Sequence, residues 1–115
     1  MAPESGPAGL PAPTEVLEAA RAELAATERA LADIRRVRAD RVDDDEHDPE
    51  GSPLSAEWAR LDGLHRAAAR RVAAAEAAVA HAASGRYGIC QRCGGPIAAG
   101  RLEALPAAVR CVRCA

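Results

Sequence analysis

The sequence predicts a mainly α protein, built as a long antiparallel coiled-coil helical hairpin followed by a small four-cysteine domain. Three observations predict it. Of 115 residues, 30 are alanine, with no phenylalanine, one tryptophan (Trp58) and one tyrosine (Tyr87). Alanine buries little surface, and at roughly 25 cal/mol per Å² a core of its methyls contributes little. A sandwich, barrel or doubly wound sheet draws on β-branched and aromatic residues, which are scarce here. The same scarcity argues against a catalytic domain with a deep apolar pocket. Secondly, two long stretches each carry one narrow apolar stripe at helical spacing. Thirdly, all four cysteines fall in the last 26 residues.

Residues 1–13 are rich in Pro, Gly and Ala without periodicity, which predicts a disordered tail. Their acidic residue, four prolines and missing basic region do not read as a secretory signal, and no 18-residue apolar run predicts a membrane span. From Thr14 the texture changes. Thr14 is the expected N-cap, with Glu15 and Glu18 where the helix dipole favours negative charge. Leu17, Leu24 and Leu31 recur every seven residues with Ala20, Thr27 and Ile34 between them. That 3-4 seam predicts a helix to about Val42, degrading at Arg38 and Arg41.

The segment 43–53, DDDEHDPEGSP, holds six acidic residues and predicts a polar turn. Ser52 followed by Pro53 reads as a cap and first helical position. The second helix is expected to run to Ser84, along a seam of Leu54, Trp58, Leu61, His65, Ala68, Val72, Ala75, Val79 and Ala82. Gly85 suits the left-handed position after its last turn. Each helix should measure roughly 45 Å at 1.5 Å per residue. Pairing of the two stripes then puts the acidic turn at the far tip. The expected organisation is a tail over 1–13, a hairpin over 14–84 with its tip at 43–53, and a cysteine domain over 85–115.

Cys90-Gln-Arg-Cys93 and Cys111-Val-Arg-Cys114 are separated by seventeen residues. Two such pairs at this separation are the ligand pattern of one structural zinc ion, held by four thiolates with no open coordination position. Zinc also explains how so short a segment holds a fold without a large core. Two disulfides would need an oxidising compartment, and a redox pair would sit at a helix start in a larger α/β domain.

The run GRYGICQRCGGPIAAGRLEALPAAVRCVRCA closely resembles the zinc finger of the DksA/TraR family of bacterial transcription regulators. The resemblance is carried by Gly85, Tyr87-Gly88, Cys90-x-x-Cys93-Gly94, Ile97, Arg101-Leu102-Glu103-Ala104, Pro106 and Cys111-x-x-Cys114. It implies a cytoplasmic, non-enzymatic regulator. Such proteins bind RNA polymerase and place a helical hairpin in its secondary channel, with acidic tip residues near the catalytic centre. The tip pattern Asp-x-x-Asp-x-Ala is met here by Asp45 and Asp48, then Glu50 in place of alanine; a gapless count back from Cys90 instead places Glu50 near the second acid. Asp45, Asp48 and Glu50 are therefore the candidate polymerase-binding residues. Members that respond to guanosine tetraphosphate carry basic residues on the second helix, before the motif's proline and on a terminal helix. Here Leu105 precedes Pro106, the second helix is alanine-rich and no helix follows Cys114, so that response is expected to be absent.

Other readings are narrower. Asp43-x-Asp45-x-His47 lacks the sixth-position glycine and twelfth-position glutamate of a calcium loop. His65 is expected to pack at the seam, His81 to face solvent, and Trp58 to anchor the hairpin near its tip. Residues 86–115 hold five arginines against one acid, which makes a zinc-ribbon module on nucleic-acid phosphates the alternative. The tetrathiolate offsets about two of those charges, and Tyr87 reads as a turn anchor rather than a stacking platform. A basic patch docking on an acidic polymerase surface is preferred, without direct sequence-specific DNA binding. No nucleophile with a base and no phosphate loop points to an enzyme.

Overall fold

The computed structural model describes the backbone of residues 9–44 and 53–115, and side chains over 9–40 and 53–115. Two long helices, α1 (Pro13–Asp44) and α2 (Pro53–Ala83), pack against each other and lead into a finger with one short helix, α3 (Ala99–Ala104). The molecule is elongated, 61 × 28 × 21 Å. No helix among the described residues is long and apolar enough to cross a membrane.

Helix α1 starts one residue earlier than expected, and its cap differs. Pro13 takes the first helical position, where its missing N–H costs nothing. Glu15, three residues after Ala12, accepts a 2.8 Å hydrogen bond from the Ala12 N–H. That is half of a capping box, supplied by the acid because the cap position has no side-chain acceptor. Thr14, the expected cap, lies inside the helix. Of the segment expected as a tail, residues 9–13 are described: Pro13 is buried and Leu10 packs on the finger. At the other end, Asp43 and Asp44 belong to α1 rather than to the turn. Helix α2 starts at Pro53 as expected. The expected Ser52 cap, His47 and the tip candidates Asp45, Asp48 and Glu50 lie outside the described residues.

The seam changes character along its length. Toward the tip, Leu31, Ile34 and Leu61 are buried together, with Leu54, Trp58 and Ala30 packed on them. Burying each such large side chain contributes roughly 1.5–3 kcal/mol. Toward the finger the buried positions are Ala20, Ala68, Ala75, Ala78 and Ala82. Small side chains allow helix axes to approach to the near end of the usual 8–10 Å range. Ala78 joins this set although the heptad count assigns it no place. Val37, just before the α1 pattern degrades at Arg38, is exposed.

Ion pairs across the hairpin reinforce the register: Arg21 with Glu76 at 3.4 Å, His65 with Glu28 at 3.4 Å, and Arg71 with Glu23. Pairs within one helix (Arg60 with Glu57, Arg66 with Asp62) follow the helical repeat. The hydrogen bond from Arg60 holds the Glu57 carboxyl below its ordinary range. Gly63 lies on an exposed stretch of α2 with nothing near its missing side chain, and nothing in the structure explains it.

Candidate metal centre

The finger hangs from the end of α2 by a tight reversal. Gly85 adopts φ +82°, its N–H donates to the Ala82 carbonyl, and the Arg86 N–H donates to the His81 carbonyl. This pair of bonds satisfies the last helical carbonyls, and only glycine takes the left-handed turn without strain. The His81 ring does not face solvent freely, contrary to the expectation from its place in the helix. Its Nε2–H donates a 2.6 Å hydrogen bond to the Ile89 carbonyl, one residue before the first cysteine. His81 thus braces the cysteine loop against the helix through both its ring and its backbone.

The first cysteine loop closes on itself. The Gly94 N–H donates to the Cys90 carbonyl at 2.9 Å, and the Cys90 N–H to the Gly95 carbonyl at 2.7 Å. Gly94 makes the turn with φ +77°. Ile89 and Pro96 form an isolated antiparallel bridge beside it. The second loop is joined to the first by a 2.8 Å bond from the Gln91 N–H to the Val109 carbonyl. Helix α3, too short to announce itself by periodicity, buries Leu102 against Cys90, Ile97 and Cys111. Arg101 donates from Nε to the Arg110 carbonyl at 2.8 Å, tying α3 to the stretch of chain entering the second loop. Tyr87 packs on this cluster, and its hydroxyl is buried with no hydrogen-bond partner among the described residues. Burial raises its pKa.

These loops bring the Sγ atoms of Cys90, Cys93, Cys111 and Cys114 to within 4.8 Å of one another. Cys93 and Cys111 are 3.8 Å apart at sulfur. A tetrahedral site with Zn–S bonds of about 2.3 Å requires sulfur separations of roughly 3.8 Å; a disulfide requires about 2.05 Å. The set therefore fits zinc and not a pair of disulfides. Backbone N–H groups of Arg92 and Gly95 point at the Cys90 and Cys93 sulfurs, each at 3.4 Å. Such donors stabilise thiolates over thiols. Hydrogen bonds from the Cys93 and Cys111 backbones pull the Cys90 thiol down to about 5. Cys114 is pushed up to about 12, first by its hydrogen bond to Cys111 and then by burial. Four thiols this close cannot all ionise unaided. A divalent cation resolves that conflict, and four thiolates leave it no open position for catalysis. The site holds one structural zinc ion, which supplies the cross-link the small apolar cluster lacks.

Comparison with known proteins agrees with this geometry. Residues 85–115 match the family model of the prokaryotic dksA/traR C4-type zinc finger. The fold is similar to that of transcription factor DksA2 from Pseudomonas aeruginosa, with a TM-score of 0.67 and 20% identity. That similarity covers 89% of this chain and 73% of the other. No curated protein sequence matches the chain. Residues 85–115 are therefore a C4-type zinc finger of the dksA/traR kind, carried at the base of a helical hairpin whose fold is similar to that of DksA2.

Proposed function

We propose that the chain is a cytoplasmic transcription regulator that binds RNA polymerase and reaches into its secondary channel with the hairpin. The observation that carries this reading is the family's four-cysteine finger fixed to the end of a long, narrow two-helix lever. In this reading the hairpin over 14–84 is the working part, and the finger over 85–115 sets its direction. Asp45, Asp48 and Glu50 act at the tip, where carboxylates meet the metal and phosphate chemistry of the polymerase centre. The protein is a regulatory factor and does no chemistry of its own.

Insensitivity to guanosine tetraphosphate is part of the same reading. A groove of about 620 Å³ separates the base of the hairpin from the segment after α3. Its two arginines are already engaged, Arg71 by Glu23 and Arg101 by the Arg110 carbonyl, while Glu15 and Glu23 add negative charge. Leu105 presents an apolar side chain there, 51% exposed. A tetra-anionic nucleotide gains little from such a lining. The nucleic-acid reading is less well supported, because Tyr87 is packed on the finger cluster and offers no face for base stacking.

The test combines affinity purification with transcription in vitro. The zinc-loaded protein is expected to retain core RNA polymerase and to change promoter-complex lifetime. The triple variant Asp45→Ala, Asp48→Ala, Glu50→Ala is expected to keep binding and lose that effect. Failure of the wild-type protein to bind polymerase would overturn the reading. An intact effect in the bound triple variant would remove the tip from it.

A further inference from the structure

The finger is joined to the hairpin at two places of different kinds. One is the exit from α2, where the Gly85 reversal and the His81–Ile89 bond meet. The other is Leu10. Among the described residues, Leu10 is the one side chain from outside residues 85–115 that packs on the cluster of Cys90, Ile97, Leu102 and Cys111. The backbone of α3 stays clear of both long helices. A groove of about 620 Å³ lies between, with Val16 and Ala19 of α1 on one side and Leu105, Pro106 and Ala108 on the other.

Leu10 reaches α1 through a short, stiff segment. The rings of Pro11 and Pro13 fix their own φ, and each holds the residue before it, Leu10 or Ala12, toward extended backbone. Pro13 is fully buried at the first helical position. Ala12 is tied to the first turn through both of its backbone groups. Its N–H donates to the Glu15 carboxylate, and its carbonyl accepts from the Glu15 and Val16 N–H groups at 2.9 and 3.0 Å. Pro11 lines the groove between these anchors. A segment with so few accessible conformations loses little entropy on spanning the gap, and it transmits orientation as a flexible linker would not. The cysteine loops are closed by their own backbone bonds, Gly94 to Cys90, Cys90 to Gly95 and Gln91 to Val109, none of which involves Leu10.

We propose that Leu10–Pro13 is a clasp and the Ser84–Arg86 reversal a hinge, so that seating of Leu10 on the finger sets the angle between finger and hairpin. With Leu10 unseated, the finger keeps its zinc and pivots about Gly85, the groove giving it room to move. Leu10 is thus a positioning residue. The clasp belongs to the fold of this chain and holds whether or not the chain binds RNA polymerase.

The experiment is a distance measurement by pulsed electron paramagnetic resonance on the full zinc-loaded chain. Spin labels are carried by ketone-bearing amino acids at Val37 on α1 and Glu103 on α3, two exposed positions, which leaves the cysteines to the metal. The wild-type chain is expected to give one narrow distance distribution. Leu10→Asp places a charge in an apolar seat and should widen that distribution at least about twofold with zinc content unchanged. Leu10→Met keeps an apolar side chain of similar volume and should stay within about 1.2-fold of the wild-type width. Pro11→Gly combined with Ala12→Gly retains the Leu10 anchor but slackens the segment, and should give an intermediate width. A broad distribution in the wild-type chain, or an unchanged width in Leu10→Asp, would overturn the clasp. An unchanged width in the glycine variant would overturn its stiffness. Loss of zinc from Leu10→Asp would overturn the proposal as well, by making Leu10 part of the finger's own core.

Discussion

The hairpin and the finger solve the same shortage of apolar bulk by different means. The hairpin spreads its stabilisation over a long seam: a few large side chains near the tip, alanines near the base, and surface ion pairs across the two helices. Each term is small, and exposed pairs of this kind contribute roughly 0–1 kcal/mol. The finger concentrates its stabilisation at one point. Its buried cluster is only Cys90, Ile97, Leu102 and Cys111, and two of those four are metal ligands. A distributed structure loses stability in increments, whereas a structure built on one ion is expected to fail at once.

Zinc removal breaks the comparison most strongly. Chelation, or Cys111→Ser, is expected to abolish ordered amide signals over residues 85–115 while most far-ultraviolet helix signal persists. Retention of finger order without metal would refute this. Acid should act in the same direction, because ligands bind as thiolates and protons compete with the metal. Cys90, whose thiol is pulled down, is the last of the ligands to take a proton and Cys114, whose thiol is pushed up, the first, so zinc release on acidification should begin at Cys114. Within the hairpin, Leu61→Ala removes a side chain from the tip cluster and should cost about 2–5 kcal/mol in denaturant unfolding. Ala75→Leu, at a fully buried seam position, should cost about 1–3 kcal/mol by forcing the helices apart. A neutral Ala75→Leu would show that the base of the seam is looser than described.

Smaller effects sharpen the border between the two regions. His81→Ala removes the bond to the Ile89 carbonyl and should cost about 1 kcal/mol, seen as faster amide exchange at Ile89 and Cys90. Exchange confined to α2 would place His81 in the hairpin alone. Gly63→Ala fills open space on a helix surface and should raise stability by up to about 1 kcal/mol. A loss of stability there would reveal a role for Gly63 that packing does not show.

Much of this fold is legible from residue order, for a physical reason. Heptad spacing reports which side of a helix is buried, so the burial of Leu31, Ile34, Leu61 and Ala68 follows from their positions in the repeat alone. Cysteine spacing reports the zinc site in the same direct way. What escapes residue order depends on contacts between elements. Nothing in the local pattern joins Arg71 to Glu23 or Leu10 to the finger. His81 reads as solvent-facing because its helical position is polar, yet the reversal at Gly85 folds Ile89 back onto it. The start of α1 is recoverable from sequence: the proline rule that locates Pro53 also applies to Pro13, and it outweighs a capping threonine one residue later.

The central claim is that zinc holds the finger so that the hairpin can engage RNA polymerase. Its most direct test is a photo-crosslinking amino acid at Leu64, an exposed position on α2. The account predicts adducts with the large subunits of core polymerase from the zinc-loaded protein, and their loss after chelation. No polymerase adduct, or an equal yield without zinc, would contradict it.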